Sequence, residues 1–392
     1  MTIGAPSQHV IPVPGPVLHS YPLVSILIPC RNEGQFIGQC LDSILANDFP
    51  NDQLEIMVLD GMSEDGTRQI VEGYARNHPF LKLVDNQSRT TPAALNLGIC
   101  LAKASIVMRM DAHARYDKRY ISRCVEALGR YKADNVGGIW KIVPRTKTLF
   151  GQAVAQALAH PFGVGNAQYR YAEGDEQPQW VDTVPYFCMR KWKLGEVGLF
   201  NESLIRGEDM EFQMRLSQVG MFNEKLTRGQ DMEFSLRLKK AGGRTLLLPS
   251  VVSYYYARSD VRSFWCHNWV NGVWAILPFA YSDIVPIAGR HLVPLAFVGA
   301  SLGSLILGLW IRPFLWMAVA ILGTYGLVAL AVSLQIAWRQ RQARYGLVMP
   351  AAFGILHTAY GLGSLWGIIR LLSMQEFWKK LRNSGLSHAT GR

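Results

Sequence analysis

A carboxylate and an imidazole stand two residues apart at Asp111 and His113, where the run that begins with the apolar Ile106, Val107 and Met108 stops. Such a run forms a buried strand, and polar side chains at its end can both reach one hard cation and the phosphates it holds. Alone, these residues read as a strand ending in a polar turn. Their company argues otherwise. Arg31 and Glu33 follow the apolar run 23–29, and Asp60 follows 54–59. Carboxylates accept bonds from a base and a ribose, and an arginine pairs with phosphate. Four charged residues at strand ends, Arg31, Glu33, Asp60 and Asp111, exceed what turns require and point to nucleotide binding.

The elements that must place them alternate. After the first strand, Phe36, Ile37, Cys40, Leu41, Ile44 and Leu45 recur on one helical face. After the second, Ser63, Glu64, Asp65 and Gly66 make a turn able to cap another helix. Strand, helix, strand, helix predicts a parallel sheet, whose ligands collect at the carboxyl ends of its strands.

The chain of 392 residues accommodates one large domain and a smaller region. Its formal net charge of +11 suits anionic lipid, nucleotide or nucleic acid. Nucleic acid is disfavoured, because the basic residues gather beside apolar segments rather than along a soluble face. Cys30, Cys40, Cys100, Cys124, Cys188 and Cys266 contain no CxxC pair, which argues against a zinc site or disulfide framework and for a reducing compartment. Residues 1–20 read as a flexible Pro-, Gly- and Ser-rich lead-in without a signal-peptide pattern, so the domain that follows is expected in the cytosol.

The ordered motifs VSILIPCRNE, IMVLDGMSEDGT, ALNLGI at 94–99 and MRMDAHARY resemble the inverting family 2 glycosyltransferases of GT-A fold. DAH in place of DxD, with HPFGVGNAQYR at 160–170 and VDTVPYFCMRK at 181–191, resembles the bacterial exopolysaccharide, succinoglycan glucosyltransferase-like branch. The resemblance covers roughly residues 21–280. It implies that Glu33 and Asp60 hold the base and ribose of a nucleotide sugar, and that Asp111 and His113 hold a divalent metal, Mn²⁺ or Mg²⁺, and the diphosphate. His113 departs from the usual second carboxylate, and imidazole suits Mn²⁺ better than Mg²⁺.

Residues 197–218, VGLFNESLIRGEDMEFQMRLSQ, recur at once as 219–240, VGMFNEKLTRGQDMEFSLRLKK. Two copies are too few for a solenoid, so a local duplication is the simpler reading. In the resembling family this segment occurs once and supplies the catalytic base, an Asp at a helix start. Asp209 follows Glu208 in the family's usual ED pair, whereas Asp231 follows Gln230. The upstream flank RKWKLGEVGLF suits the first copy. AGGRTLLLPS at 241–250 and YYYARSD at 254–260 suit the second, so Asp231 is the expected base and Asp209 the alternative.

Residues 262–281, RSFWCHNWVNGVWAILPFAY, are rich in aromatics and suit a helix lying on a bilayer. Within them His267 to Trp274 resembles the family's QxxRW-type element near diphosphate and acceptor, with His267 in place of Gln and Val273 in place of Arg. A purely structural interfacial helix is the other reading. Apolar stretches at about 287–310, 313–335 and 348–372 are each long enough for a hydrocarbon core of about 30 Å. The basic loop 338–344, WRQRQAR, is expected in the cytoplasm. Three crossings would leave Lys379, Lys380 and Arg382 outside, against the positive-inside tendency, while Pro350, His357 and several glycines make the third stretch a candidate for a kinked or re-entrant segment.

The expected architecture is α/β: a flexible 1–20, a GT-A catalytic domain at 21–260 with a Rossmann-like, mostly parallel sheet, an interfacial region at 261–285, two or three crossings within 286–375, and a basic tail at 376–392. The expected activity is transfer of one sugar, with inversion, from a nucleotide sugar, UDP-linked, to a polyprenyl-linked saccharide in exopolysaccharide synthesis, at a bacterial inner membrane whose lipid the chain contacts. The alternatives are a processive polysaccharide synthase and a non-catalytic nucleotide-sensing scaffold.

Overall fold

The apolar runs become the inner strands of one sheet. A computed structural model describes residues 24–174, 176–195, 225–226, 228, 230–281 and 289–389. In chain order, β1 (Val24–Cys30), α1 (Ile37–Leu45), β2 (Leu54–Asp60), α2 (Thr67–Asn77), β3 (Leu81–Asp85), α3 (Thr91–Leu101) and β4 (Ile106–Arg109) form a parallel half. Then come β5 (Ala114–Tyr116), α4 (Tyr120–Arg130) and β6 (Asn135–Pro144), which leads into α5 (Leu149–Leu158) and α6 (Pro161–Val164). Finally β7 (Gln179–Val181), β8 (Cys188–Arg190), α7 (Lys191–Gly195), α8 (Gln230–Lys240) and β9 (Thr245–Ala257) complete the sheet and its cover.

The strand order is β3-β2-β1-β4-β8-β6-β9-β5, with β7 paired to β9. The parallel expectation holds for β1 to β4; β8 runs antiparallel to β4 and β6, and β9 antiparallel to β5 and β7, so the whole sheet is mixed. The period-two pleat divides β1 between two cores. Ile26 and Ile28 pack with Ile37, Leu41 and Ile44 of α1 on one face. Leu27 packs with Leu95 and Ile99 of α3 and with Phe234 and Leu238 of α8 on the other. Each such side chain, fully buried, contributes about 1.5–3 kcal/mol of transfer free energy. The carboxyl ends of β1, β2 and β4 are thereby fixed side by side.

The chain divides into two units: one from the chain up to Lys141 with Tyr171–Tyr255, the other from Ile142–Arg170 with the chain from Tyr256 on. The expectation placed residues 142–170 inside the catalytic domain; here they pack with the apolar helices. The reason is visible in α5, whose Ala153, Val154, Ala155 and Ala157 are buried and whose Gln152 Oε1 accepts from Tyr345 Oη at 3.1 Å. The second unit continues as α9 (Val261–Ile276), α10 (Pro278–Tyr281), α11 (Gly289–Gly308), α12 (Arg312–Arg339), α13 (Tyr345–Ser373) and α14 (Gln375–Ala389). Asp260 caps α9, accepting from Ser263 N at 2.8 Å. α11, α12 and α13 are long and apolar enough to cross a membrane.

Candidate active site

Arg31, Glu33, Arg109, Asp111 and His113 line one pocket at the carboxyl ends of β1, β2 and β4, together with Asn86, Arg89 and Thr90 from the turn after β3. Asp111 stands just beyond β4. Its Oδ1 accepts from Arg109 Nε at 2.8 Å, and its backbone N–H donates to Tyr116 Oη at 2.6 Å, while that hydroxyl donates back to Asp111 O at 3.3 Å. Burial pushes the Tyr116 phenol well above its ordinary pKa, so it stays protonated and holds both backbone groups of Asp111. Arg109 is buried and was not singled out from sequence. Its signal was a cation at the end of an apolar run, two residues before Asp111.

Glu33 and His113 pair, with His113 Nδ1 at 2.8 Å from Glu33 Oε1. The Glu33 backbone is set by the loop after β2. Its N–H donates to Thr67 Oγ1 at 2.9 Å, and Gly34 N–H donates to Asp65 Oδ2 at 3.0 Å. Asp65 also accepts from Thr67 Oγ1 at 2.5 Å, the bond that does most to lower its pKa below the usual carboxylate value. Asn32, in left-handed backbone at φ 54°, donates its N–H to Ser63 Oγ at 2.8 Å and accepts from Glu64 N at 2.9 Å. The two loops are thus stitched together. His113 also meets Tyr255 edge to face at 5.9 Å, and Tyr255 stacks on Trp140 at 4.5 Å.

Asp60 is placed differently from its partners. Its side chain is 0 % exposed; Oδ1 accepts from Ser63 Oγ at 2.5 Å, and Oδ2 accepts from Ser63 N at 3.0 Å and Arg68 at 2.7 Å. Arg68 bridges on to Asp85 at 2.8 Å. The carboxylate therefore organises the β2 loop from within. Cys30 lines the pocket and Cys40 Sγ donates to Asp111 O at 3.5 Å; burial raises both thiols above their ordinary pKa, so they remain neutral.

The remaining expected residues lie elsewhere. His267 and Trp274 are on α9 in the second unit, where both are half-buried and Trp274 stacks with Tyr281 at 6.4 Å. Asp231 is the second residue of α8, with its side chain outside the described part, and Asp209 lies outside the described residues altogether.

Among the described residues no three His, Cys, Asp or Glu side chains converge as a ready-made cation site. Asp111 and His113 nevertheless supply one carboxylate and one imidazole, a set that suits a cation completed by phosphate oxygens. The contact of Glu33 with Nδ1 has the form of the carboxylate bond that orients a metal-binding histidine, since a proton on Nδ1 leaves the lone pair on Nε2.

A sheet with parallel strands feeding a loop-built pocket, then an antiparallel extension, defines a GT-A type α/β domain. Residues 25–190 match the model of the family described as Glycosyl transferase family 2, so the chain carries a family 2 glycosyltransferase domain and is a glycosyltransferase. The mannosyltransferase PcManGT from Pyrobaculum calidifontis, solved in complex with GDP-Man and Mn²⁺, superposes with a TM-score of 0.51 at 21 % identity over 90 % of this chain and 91 % of its own, which shows the shared fold. The succinoglycan biosynthesis protein ExoA of Rhizobium meliloti is 28 % identical over 86 % of this chain and 92 % of its own. A dolichyl N-acetyl-alpha-D-glucosaminyl phosphate 3-beta-D-2,3-diacetamido-2,3-dideoxy-beta-D-glucuronosyltransferase of Methanococcus voltae is 24 % identical over 88 % of this chain and 97 % of its own.

Proposed function

We propose that the protein transfers a single sugar, with inversion, from a UDP-sugar to a polyprenyl-linked saccharide in exopolysaccharide synthesis, working from the cytoplasmic face of a bacterial inner membrane. The observation that carries this reading is the gathering of Arg31, Glu33, Arg109, Asp111 and His113 in one pocket at the sheet edge. The names of the two similar proteins, one of succinoglycan biosynthesis and one acting on a dolichyl-phosphate-linked sugar, support a lipid-linked acceptor.

In this reading Arg31 pairs with the donor's phosphates, and Glu33 positions His113 while bordering the nucleotide. Asp111 and His113 would hold a divalent cation, which would supply positive charge beside the diphosphate. Arg109 holds Asp111 in place through Oδ1. Inversion is a direct displacement at the anomeric carbon, so the acceptor hydroxyl must lose its proton as it attacks, and a carboxylate within hydrogen-bond reach accepts it. Asp231 takes that role. Its helix supports the choice, because Phe234 and Leu238 of α8 pack in the same cluster as Leu27 and Leu59 of the central strands. His267 and Trp274 serve the acceptor side.

The test is a panel of nucleotide sugars with Mn²⁺ and membrane-extracted lipid acceptor, read by mass spectrometry on the purified full chain. A gain of one sugar mass per acceptor is expected. A ladder of long products from one binding event would favour a processive synthase, and no turnover of any donor would favour a binding scaffold. His113→Asp is expected to raise the ratio of Mg²⁺-supported to Mn²⁺-supported transfer, because a second carboxylate suits the harder cation.

A further inference from the structure

α13 spans 29 residues, yet it does not run alongside the two helices before it. α11 and α12 form an antiparallel hairpin: Phe297 and Tyr325 stack at 4.4 Å midway, and Gly308 lies against Leu315 near the tip. α13 begins beside the lower part of α12, where Gly346 meets Leu334, and reaches Tyr325 with His357, Nδ1 to Oη at 2.9 Å. Gly361 then lies against Pro294 and Val298 of α11. From there a helix climbing beside α11 would meet residues near its end ten positions later, about 15 Å further on. Instead Ile368 and Leu371 gather with Leu295, still in the first part of α11. α13 crosses α11 rather than accompanying it.

Its other partners confirm that course. Gly363, Ser364 and Gly367 lie against Trp269, Gly272 and Val273 of α9, a helix of 16 residues, too short to cross about 30 Å. At the far end, Phe377 of α14 joins Ile276 and Ala280, and Lys380 Nζ donates to Phe279 O at 3.3 Å. Ile276 to Ala280 belong to the segment through which the chain approaches α11. The start of α13, bonded through Tyr345 to α5, follows the end of α12 after a short basic loop. Both ends of α13 therefore sit on the side where α11 begins and α12 ends. Consistently, 44 % of the most apolar window of α13 is buried against protein, compared with 22 % for α11 and 17 % for α12.

The outer face of this arm has a membrane-surface character. Trp366, Ile369 and Leu372 on α13 and Trp378 and Leu381 on α14 are exposed, interleaved with exposed Arg370, Lys379 and Arg382. Aromatic and aliphatic residues beside cations suit the boundary between acyl chains and anionic headgroups.

We propose that only α11 and α12 cross the bilayer, and that α13 and α14 lie in the interface of the leaflet where α11 enters, with this exposed face seated on anionic phospholipid. α14 then shares a side with the loop between α12 and α13. Lys379, Lys380 and Arg382 join the basic loop 338–344 there, which removes the conflict with the positive-inside tendency. The proposal rests on reading α11 and α12 as crossings.

The test uses the full chain with Cys100 and Cys266 replaced by Ala, bearing Gln340→Cys, Leu309→Cys or Ser387→Cys, in vesicles of both orientations probed with a membrane-impermeant maleimide. Ser387→Cys is expected to label in the same orientation as Gln340→Cys and opposite to Leu309→Cys. Label on Ser387→Cys from the side opposite Gln340→Cys overturns the proposal. Label on Leu309→Cys from the Gln340→Cys side overturns instead the crossing of the hairpin. A fluorophore on Ile369→Cys is expected to be quenched more by lipid spin-labelled near the headgroup than at mid-chain; the reverse order would place α13 in the bilayer centre and overturn the proposal.

Discussion

Asp60→Asn separates a residue that shapes the pocket from one that binds within it. The side chain is inaccessible, and its two oxygens face three donors: Ser63 N, Ser63 Oγ and Arg68. Asn is nearly isosteric but turns one acceptor into an NH₂ that confronts a donor, and it removes the charge opposite Arg68. A hydrogen bond to a charged group is worth about 1.5–3 kcal/mol, and a buried unsatisfied donor costs about 1–3. Arg68 is 28 % exposed and keeps Asp85, so solvent and that second carboxylate recover part of the loss. A net destabilisation of about 2–3 kcal/mol remains, which at about 2–4 °C per kcal/mol lowers the unfolding temperature by roughly 4–12 °C. Thermal unfolding of the detergent-purified chain measures this, and Asp85→Asn serves as a control expected to cost at most about 1 kcal/mol, since that residue is half-exposed. Donor affinity well below the transition should change less than about threefold. An unfolding temperature within about 1 °C of wild type, with donor affinity lowered tenfold or more, would refute the reasoning and make Asp60 a direct ligand of the nucleotide.

Asp231→Asn is expected to abolish transfer while leaving nucleotide binding within about threefold of wild type; loss of transfer in Asp209→Asn but not in Asp231→Asn would exchange their roles. Gly272→Ala places a Cβ at 2.0 Å from the Tyr360 carbonyl oxygen of α13, so an overpacking cost of about 1–3 kcal/mol or more should lower the unfolding temperature, whereas Gly299→Ala, with nothing within 4 Å of its added Cβ, should leave it unchanged or slightly raised. The Asp260 carboxyl is held below its ordinary pKa, chiefly by its bond to Ser263, so its stabilising effect is complete above the unfolded value of about 3.9 and is lost as pH falls through the lower folded value. Between pH 5 and about 2 the unfolding temperature of Asp260→Asn should therefore fall less steeply than that of wild type, as scanning fluorimetry across that range would reveal.

The parallel half of the sheet was legible because β1 and β2 are buried on both faces, so their sequences are continuous apolar runs that end where the polar loops begin. The pocket residues Arg31, Glu33, Asp111 and His113 were legible for the same reason, since a strand end is visible in one dimension. What joins them was not. The Glu33 to His113 contact brings together residues eighty positions apart, and no local pattern records it. Asn86, Arg89 and Thr90 follow β3, whose half-exposed sequence gives a weaker strand signal than β1. The antiparallel strands β5, β7 and β8 have only three residues each, too few for a period to register. α5 reads as an ordinary apolar helix of the catalytic domain, because its membership in the second unit is decided by partners such as Tyr345, far along the chain. The length and apolarity of α13 mark it as able to cross a membrane, and only its contacts with α9 and the first part of α11 speak to its course.

The central claim is that the pocket built around Asp111 receives the donor's diphosphate. Calorimetric titration of UDP into the purified chain with Mn²⁺ present tests it most directly, comparing wild type with Asp111→Ala. The account expects saturable binding by wild type, weakened a hundredfold or more in Asp111→Ala when both are titrated well below the unfolding transition of the variant, which loses the partner of buried Arg109. Equal affinity in the two proteins would contradict it.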